Sequence, residues 1–290
     1  MPALIDLRRR IKSVKNTQQI TQAMKTVSTA KFKKAQKAVL TGRPSWHGFP
    51  DLMADIASWA ERTSHPLLEE RRENKIHLLV ISSDRGLCGA FNHNLLDQAR
   101  VFFEKKSTDA EVRLLLTGKK SVLFFADLPG AVEWSAGKDL NKFTDTDYSE
   151  LARRLINHYA MYRTDAVYVA YNEFKSILAP RITITKLLPV EEAGGLEEQE
   201  MKKGEVDYEP GTEILLETLL PLFVEDQIRH FFSESFAAEY AARMMAMDNA
   251  TKNAGELIDS LTLVLNKIRQ STITNELLEI MTAVEALSKK

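Results

Sequence analysis

"SSDRGLCGAFN", residues 82–92, decides the fold. The apolar run "KIHLLVISS" (75–83) leads into it and the amphipathic "FNHNLLDQARVFFEKK" (91–106) leads out, so the stretch predicts the turn of a strand–turn–helix unit. Nucleotide-binding domains hold a pyrophosphate at such a turn. Their fingerprint needs glycine at the first, third and sixth positions, for close phosphate approach and helix packing. Counted from Gly86, the third position is Cys88 and the sixth is Phe91. The second strand, "EVRLLLTG" (111–118), ends in Thr117 and Gly118 instead of the acid that would hold a ribose. "TGKKS" fails as a Walker loop, with Arg113 where the first glycine belongs and Lys120 where Ser or Thr should follow Lys119. The glycines therefore read as a tight turn and not as a phosphate cradle.

Working outward, the middle of the chain keeps alternating. A short strand is expected at 131–136, a helix at 146–163, and strands at 166–174 and 181–190. That order predicts a three-layer α/β domain over 75–190 with a largely parallel sheet. Residues 191–210 hold eight Asp/Glu with Gly194, Gly195 and Gly204, an acidic linker that could pair briefly through "EVDYEP".

Both flanks read as long helices. In the first, Leu4, Leu7, Ile11, Val14, Thr17, Thr21, Met24 and Val27 recur every three or four positions, a thin stripe that needs a long partner. "TGRPSWHGFP" (41–50) predicts a break near 42–50, Gly48 and Pro50 adding to it, before "DLMADIASWAER" (51–62) resumes the pattern. The N-terminal helical domain is thus 1–62. The C-terminal one is 211–290, where Ile228, Phe232, Phe236, Tyr240, Met244 and Met247 lead into Leu257, Leu261, Val264, Ile268, Leu278 and Met281. Pro221 suits a kink or the first turn. At ~1.5 Å per residue such a helix would reach ~100 Å. Residues 1–40 carry ten Lys/Arg against Asp6 alone, and residues 211–290 carry twelve Asp/Glu against seven Lys/Arg. Net charges of +9 and −5 favour an antiparallel pair around an inserted domain.

No other chemistry stands out. Cys88 is the single cysteine, so no intrachain disulfide forms, a reducing compartment is implied, and a buried or turn thiol is the expected role. The six histidines are scattered with no pair at metal-ligand spacing. The cluster Met244, Met245, Met247 reads as helix-seam packing. Lys and Arg of the first helix lack interleaved aromatics apart from Phe32, which argues a solvated or partner-facing surface over nucleic acid. "MPALIDLRRRIK" lacks a secretion signal's apolar core, and no stretch nears the ~18 apolar residues of a membrane span. No catalytic residue, cofactor site or metal site is assigned. A nucleotide-binding enzyme with helical extensions and a coiled-coil scaffold remain as the alternative classes.

Three blocks carry a resemblance over the whole chain. "IKSVKNTQQITQAMKTVSTAKFKKAQ", "SSDRGLCGAFN" and "AARMMAMDNATKNAGELI…LNKIRQSTITNELLEI" resemble, in order and spacing, the signature blocks of the gamma subunit of F-type ATP synthase. The resemblance implies a long antiparallel coiled coil of the terminal helices carrying an inserted Rossmann-like α/β domain. It implies a rotor shaft inside a ring of three alpha–beta pairs, seated on the epsilon subunit and the c-ring, with delta in the same complex. The chain would have no active site, reaching the membrane only through partners on the cytoplasmic face of the bacterial inner membrane. By family position, Met24, Arg269, Gln270 and Thr274 are candidates for contacts with beta-subunit loops, Met24 near the crossing with the C-terminal helix around Arg269. Arg85 is a candidate assembly contact. The cysteine-bearing insert of chloroplast gamma chains is absent, which argues against thiol regulation of that type.

Residue chemistry fits a shaft. Thr17–Ala30 and Asn249–Ala254 are rich in Ala, Ser, Thr, Gln and Asn. Such short side chains let helices approach closely and present a surrounding sleeve with shallow, weakly directional contacts.

Overall fold

A computed structural model describes residues 2–59, 65–137, 139–177, 180–190 and 212–288. The acidic linker at 191–210, with its "EVDYEP" pairing, lies outside the described residues. Two compact units are present: Met1–Ser28 with Met244–Lys290, and Thr29–Arg243.

The larger unit is built on a five-stranded sheet. Its strands are β1 (Lys75–Ile81), β2 (Glu111–Thr117), β3 (Val132–Ser135), β4 (Ala166–Glu173) and β5 (Arg181–Leu188), in the order β3-β2-β1-β4-β5. Neighbours are parallel except β4 and β5, which run antiparallel. Strand β1 is buried from Ile76 onward because both its faces are covered, as a central parallel strand requires. One face packs Ile76, Leu78 and Val80 against Leu95, Leu96 and Ala99 of α2 (Phe91–Lys106). On the other, Leu79 and Ile81 meet Leu151, Leu155 and Tyr159 of α4 (Asp145–Ala160), which a Thr144–Asp147 capping box begins. The short α3 (Lys119–Phe124) follows β2. Helix α5 (Thr212–Ser288) also covers this face, through Leu220, Val224, Ile228 and Phe232. The segment 211–290, expected as one coiled-coil helix, divides instead: its first part, to Arg243, belongs to the α/β unit. Pro221 sits inside the helix.

Helix α1 runs without interruption from Pro2 to Trp59, through the predicted break at 42–50. Gly42 has a packing reason. A Cβ there would lie 2.2 Å from the Trp46 ring, which stacks on His230 with centroids 4.4 Å apart. Arg43 reinforces the helix at the same level by bonding Glu234 and the carbonyl of Phe174. These contacts outweigh the breaker signal of the glycine and of Pro44.

Candidate functional site

Two places hold the residues singled out by sequence, one in each unit. In the α/β unit the stretch 82–92 forms the turn between β1 and α2 and is fastened internally. Asn92 accepts from the Ser83 N–H at 3.0 Å and donates to Ser83 Oγ at 2.8 Å and to the Cys88 sulfur at 3.2 Å. Asp84 accepts from the N–H groups of Lys119 (3.1 Å) and Leu140 (2.8 Å). Leu87 and Gly89 take positive φ of 63° and 60° to complete the turn. Gly118 is held beneath it at φ 85°, where a Cβ would strike the Ser82 carbonyl oxygen at 2.3 Å.

A phosphate cradle must present N–H donors to an anion. This turn presents carbonyls to a cation. Arg243 of α5 donates from Nη2 to Arg85 O at 3.2 Å and from Nε to Gly86 O at 3.4 Å, and pairs with Glu239 at 2.7 Å. Burial pushes the Glu239 carboxyl up, and Arg243 opposes that shift. Burial likewise raises the Cys88 thiol, 2% exposed, so it is a packed turn thiol without thiolate character. Cys88 and Phe91 pack with Phe32 and Val39 of α1 and Ala237, Ala238 and Ala241 of α5. The polarity of the turn is that of a fastening. The Arg85 side chain is exposed while its backbone is locked.

The helical unit pairs the start of α1 with the end of α5. Gln18 Nε2 donates to Thr251 O at 3.5 Å, Thr21 and Thr251 hydroxyls lie 2.8 Å apart, and Lys25 pairs with Asp248 at 2.6 Å. Partners descend α5 as α1 ascends, so the pair is antiparallel. The less exposed positions of α5 fall at Thr251, Ala254, Ile258, Leu261, Leu265, Ile268 and Thr272, the three–four alternation of a coiled-coil seam. Two expectations are corrected here. Thr17 and Val27 are exposed, the seam running instead through Gln18, Thr21, Lys25 and Ser28. Leu257 and Val264 are exposed too, with Ile258 and Leu265 in their places. Polar groups pair across the helices at the Gln18–Lys25 level, Ile258, Leu261, Leu265 and Ile268 continue the seam along α5, and Ile20, Val27, Leu263 and Ile273 face outward, each at least half exposed.

Met24 is half-buried beside the Lys25–Asp248 pair, and Arg269, Gln270 and Thr274 are exposed on α5. Thr274 Oγ1 donates to Gln270 O at 3.0 Å, putting those two on one face. Met24 does not cross near Arg269. From Asp248 to Arg269 is 21 residues, about 30 Å at an α-helical rise of ~1.5 Å per residue. The residues lie at two separate levels of the pair.

Comparison with known proteins decides the identity. The family model described as ATP synthase matches residues 3–287. The ATP synthase gamma chain of Desulforudis audaxviator is 43% identical over 299 residues, covering 99% of this chain and all of that one. That of Pelotomaculum thermopropionicum is 42% identical over 290 residues with the same coverage. The chain belongs to the ATP synthase gamma-chain family. A solved structure of the Euglena gracilis mitochondrial ATP synthase, with OSCP, F1 and c-ring, contains a chain of the same fold at TM-score 0.68 and 20% identity, covering 99% of this chain and 95% of that one. As a gamma chain the protein is a subunit of the ATP synthase, and neither a nucleotide-binding enzyme nor a generic scaffold is favoured. The ATP synthase is attached to the membrane. Among the described residues no helix is long and apolar enough to cross one.

One constellation escaped sequence reading. His77 on β1, Glu133 on β3 and His158 on α4 place their donor atoms within 4.8 Å of one another. Burial lowers the His77 pKa, against the opposing pull of Glu133. Spacing along the chain held no signal for this, because three separate elements supply the groups.

Proposed function

We propose that this gamma chain is the rotor shaft that couples proton flow through the membrane sector to ATP synthesis or hydrolysis in the alpha–beta ring. The helical unit carries the reading: an antiparallel pair, joined by polar contacts at Thr21–Thr251 and Lys25–Asp248 and with apolar residues such as Ile20, Val27 and Leu263 turned outward, has its exposed face ready for a surrounding sleeve. Alpha and beta subunits supply that sleeve, and the catalytic chemistry is theirs. Met24 at one level and Arg269, Gln270 and Thr274 at the other meet beta-subunit loops. Polar and small groups around them keep most contacts shallow, so the shaft can leave each of the equivalent positions.

Arg85, exposed on a locked turn, is an assembly contact for epsilon or the c-ring, with delta elsewhere in the complex. The chain then works on the cytoplasmic face of the bacterial inner membrane, held there by partners. A tagged chain co-expressed with alpha, beta, epsilon and c subunits should be recovered with all four from solubilised membranes. Recovery of the chain alone, with the other subunits assembled without it, would refute the assignment.

A further inference from the structure

We propose that His77, Glu133 and His158 form a divalent transition-metal site at the edge of the α/β domain. The Glu133 carboxylate lies between the two imidazoles, Oε2 at 2.9 Å from His77 Nε2 and Oε1 at 3.0 Å from His158 Nδ1. Donors held ~2.0–2.2 Å from a tetrahedral ion stand roughly 3.3 Å apart; the two histidine–carboxylate separations are near that, and with all donors within 4.8 Å of one another, side-chain rotation would gather them round an ion. Two imidazoles and a carboxylate, with a further position open, suit zinc or a neighbouring first-row ion.

Three observations favour a ligand over a plain ion-pair cluster. First, His158 Nδ1 is buried and close to a carboxylate oxygen, yet makes no aligned hydrogen bond. A cation between that nitrogen and the carboxylate would supply the partner the nitrogen lacks. Second, Glu133 is the extra residue of a β-bulge. Val132 pairs with Leu114 and Trp134 with Leu115, leaving Glu133 unpaired and re-aimed. Third, Arg113, in register with His77, is already engaged by the Glu111 carboxylate at 2.6 Å and the Gly130 carbonyl at 2.7 Å. An adjoining cavity of about 300 Å³, also lined by Lys75 and Arg163, gives an ion and its remaining water access.

A bound ion would tie the edge strand β3 and the last turn of α4 to central strand β1. The site is independent of the rotor reading and of every beta-subunit contact above.

The test uses the full chain, freed of metal by a chelator and titrated with Co²⁺, whose visible absorption reports coordination, then with Zn²⁺ as competitor. One equivalent of Co²⁺ should bind with a tetrahedral-type band, be displaced by Zn²⁺, and raise the melting temperature. Glu133→Gln, on the edge strand, and His158→Gln, in the last turn of α4, should keep the fold and weaken binding by about a hundredfold or more, beyond the range seen for outer-shell partners. His93→Gln removes the exposed His93–Asp97 pair, a histidine–carboxylate contact away from the site, and should change nothing. Absence of the band, equal binding in the two ligand variants, or loss of binding in His93→Gln would each overturn the proposal.

Discussion

Glu234 is the joint of the α/β unit, and breaking it tests how the helices hold the domain. Its side chain is 2% exposed. Oε1 accepts from Arg43 Nε and Nη2, both at 3.2 Å, and Oε2 accepts from the Phe174 N–H at 2.9 Å. Arg43 Nη2 also donates to the Phe174 carbonyl at 2.7 Å, so α1, α5 and the end of β4 meet in one knot. Arg43→Met strands the carboxylate with the Phe174 N–H and a longer contact to His230. The cost should be about 3 kcal/mol, the low end for breaking a buried pair, because a third of the arginine side chain is solvated. Glu234→Gln keeps an acceptor and loses the charge, for about 1–2 kcal/mol. Together the two changes should cost about 1.5–2 kcal/mol less than their sum, since each removes what the other leaves unpaired. The assay is urea unfolding of the four members of the cycle, followed by tryptophan fluorescence, to which Trp46 on His230 contributes. A coupling energy below ~0.5 kcal/mol, within ordinary additivity scatter, would refute the joint. Burial opposes ionisation of Glu234, yet His230, the Phe174 N–H and Arg43 together hold its pKa below the ordinary 4.5. Its stabilisation is therefore complete above the unfolded-state value and lost as pH falls below about 4.5 through the folded-state value. Glu234→Gln should flatten that acid limb.

Four further outcomes are expected. Gly42→Val should destabilise by about 1–3 kcal/mol and shift Trp46 emission, because the new side chain displaces a ring fixed on His230; unchanged emission would contradict the packing role. Arg243→Ala should speed hydrogen exchange across 84–90 without creating nucleotide affinity, checked by calorimetry with ATP, ADP and NAD; a micromolar nucleotide site in either protein would sink the reading of the turn. Met24→Lys sets a second ammonium beside Lys25 where a flexible apolar side chain now lies, and should leave assembly intact while lowering ATP-driven proton pumping per ATP hydrolysed. An unchanged ratio would remove Met24 from the coupling contact. Glu73, whose burial is outweighed by bonds from Lys106, Tyr168 and Lys186, has its pKa held at about 2, so Glu73→Gln should abolish part of the stability lost between the ordinary glutamate range and that value; identical acid curves would contradict the cluster.

Much of the fold was legible because local signals and tertiary demands agreed. The span 91–106 was read to the residue, since Leu95, Leu96 and Ala99 mark one helical face and Lys105 and Lys106 suit its end. Strand β1 was legible as an unbroken apolar run. Residues 42–50 misread because Gly and Pro report backbone preference only. Trp46, His230 and Glu234, far apart in sequence, supply the packing that overrides it. The seam misread for a related reason: periodicity follows apolar residues, and this helix pair buries Thr21 and Ser28 while turning Ile20 and Val27 outward. A hydrogen bond between the Thr21 and Thr251 hydroxyls joins the helices, a pairing visible only with both in view. The fastening role of Arg243 was hidden likewise, since carbonyl direction in a turn cannot be read from residue type. For the histidine–glutamate cluster only the fold brings the groups together.

Rotation itself is the most direct test of the account. With Cys88→Ser removing the native thiol, Val101→Cys on exposed α2 offers a single attachment point for a bead on an immobilised complex of alpha, beta and this chain. Addition of ATP should turn the bead in one direction, with dwells set by the threefold ring. Sustained ATP hydrolysis by complexes that contain the chain, with the bead fixed or moving at random, would contradict the central claim.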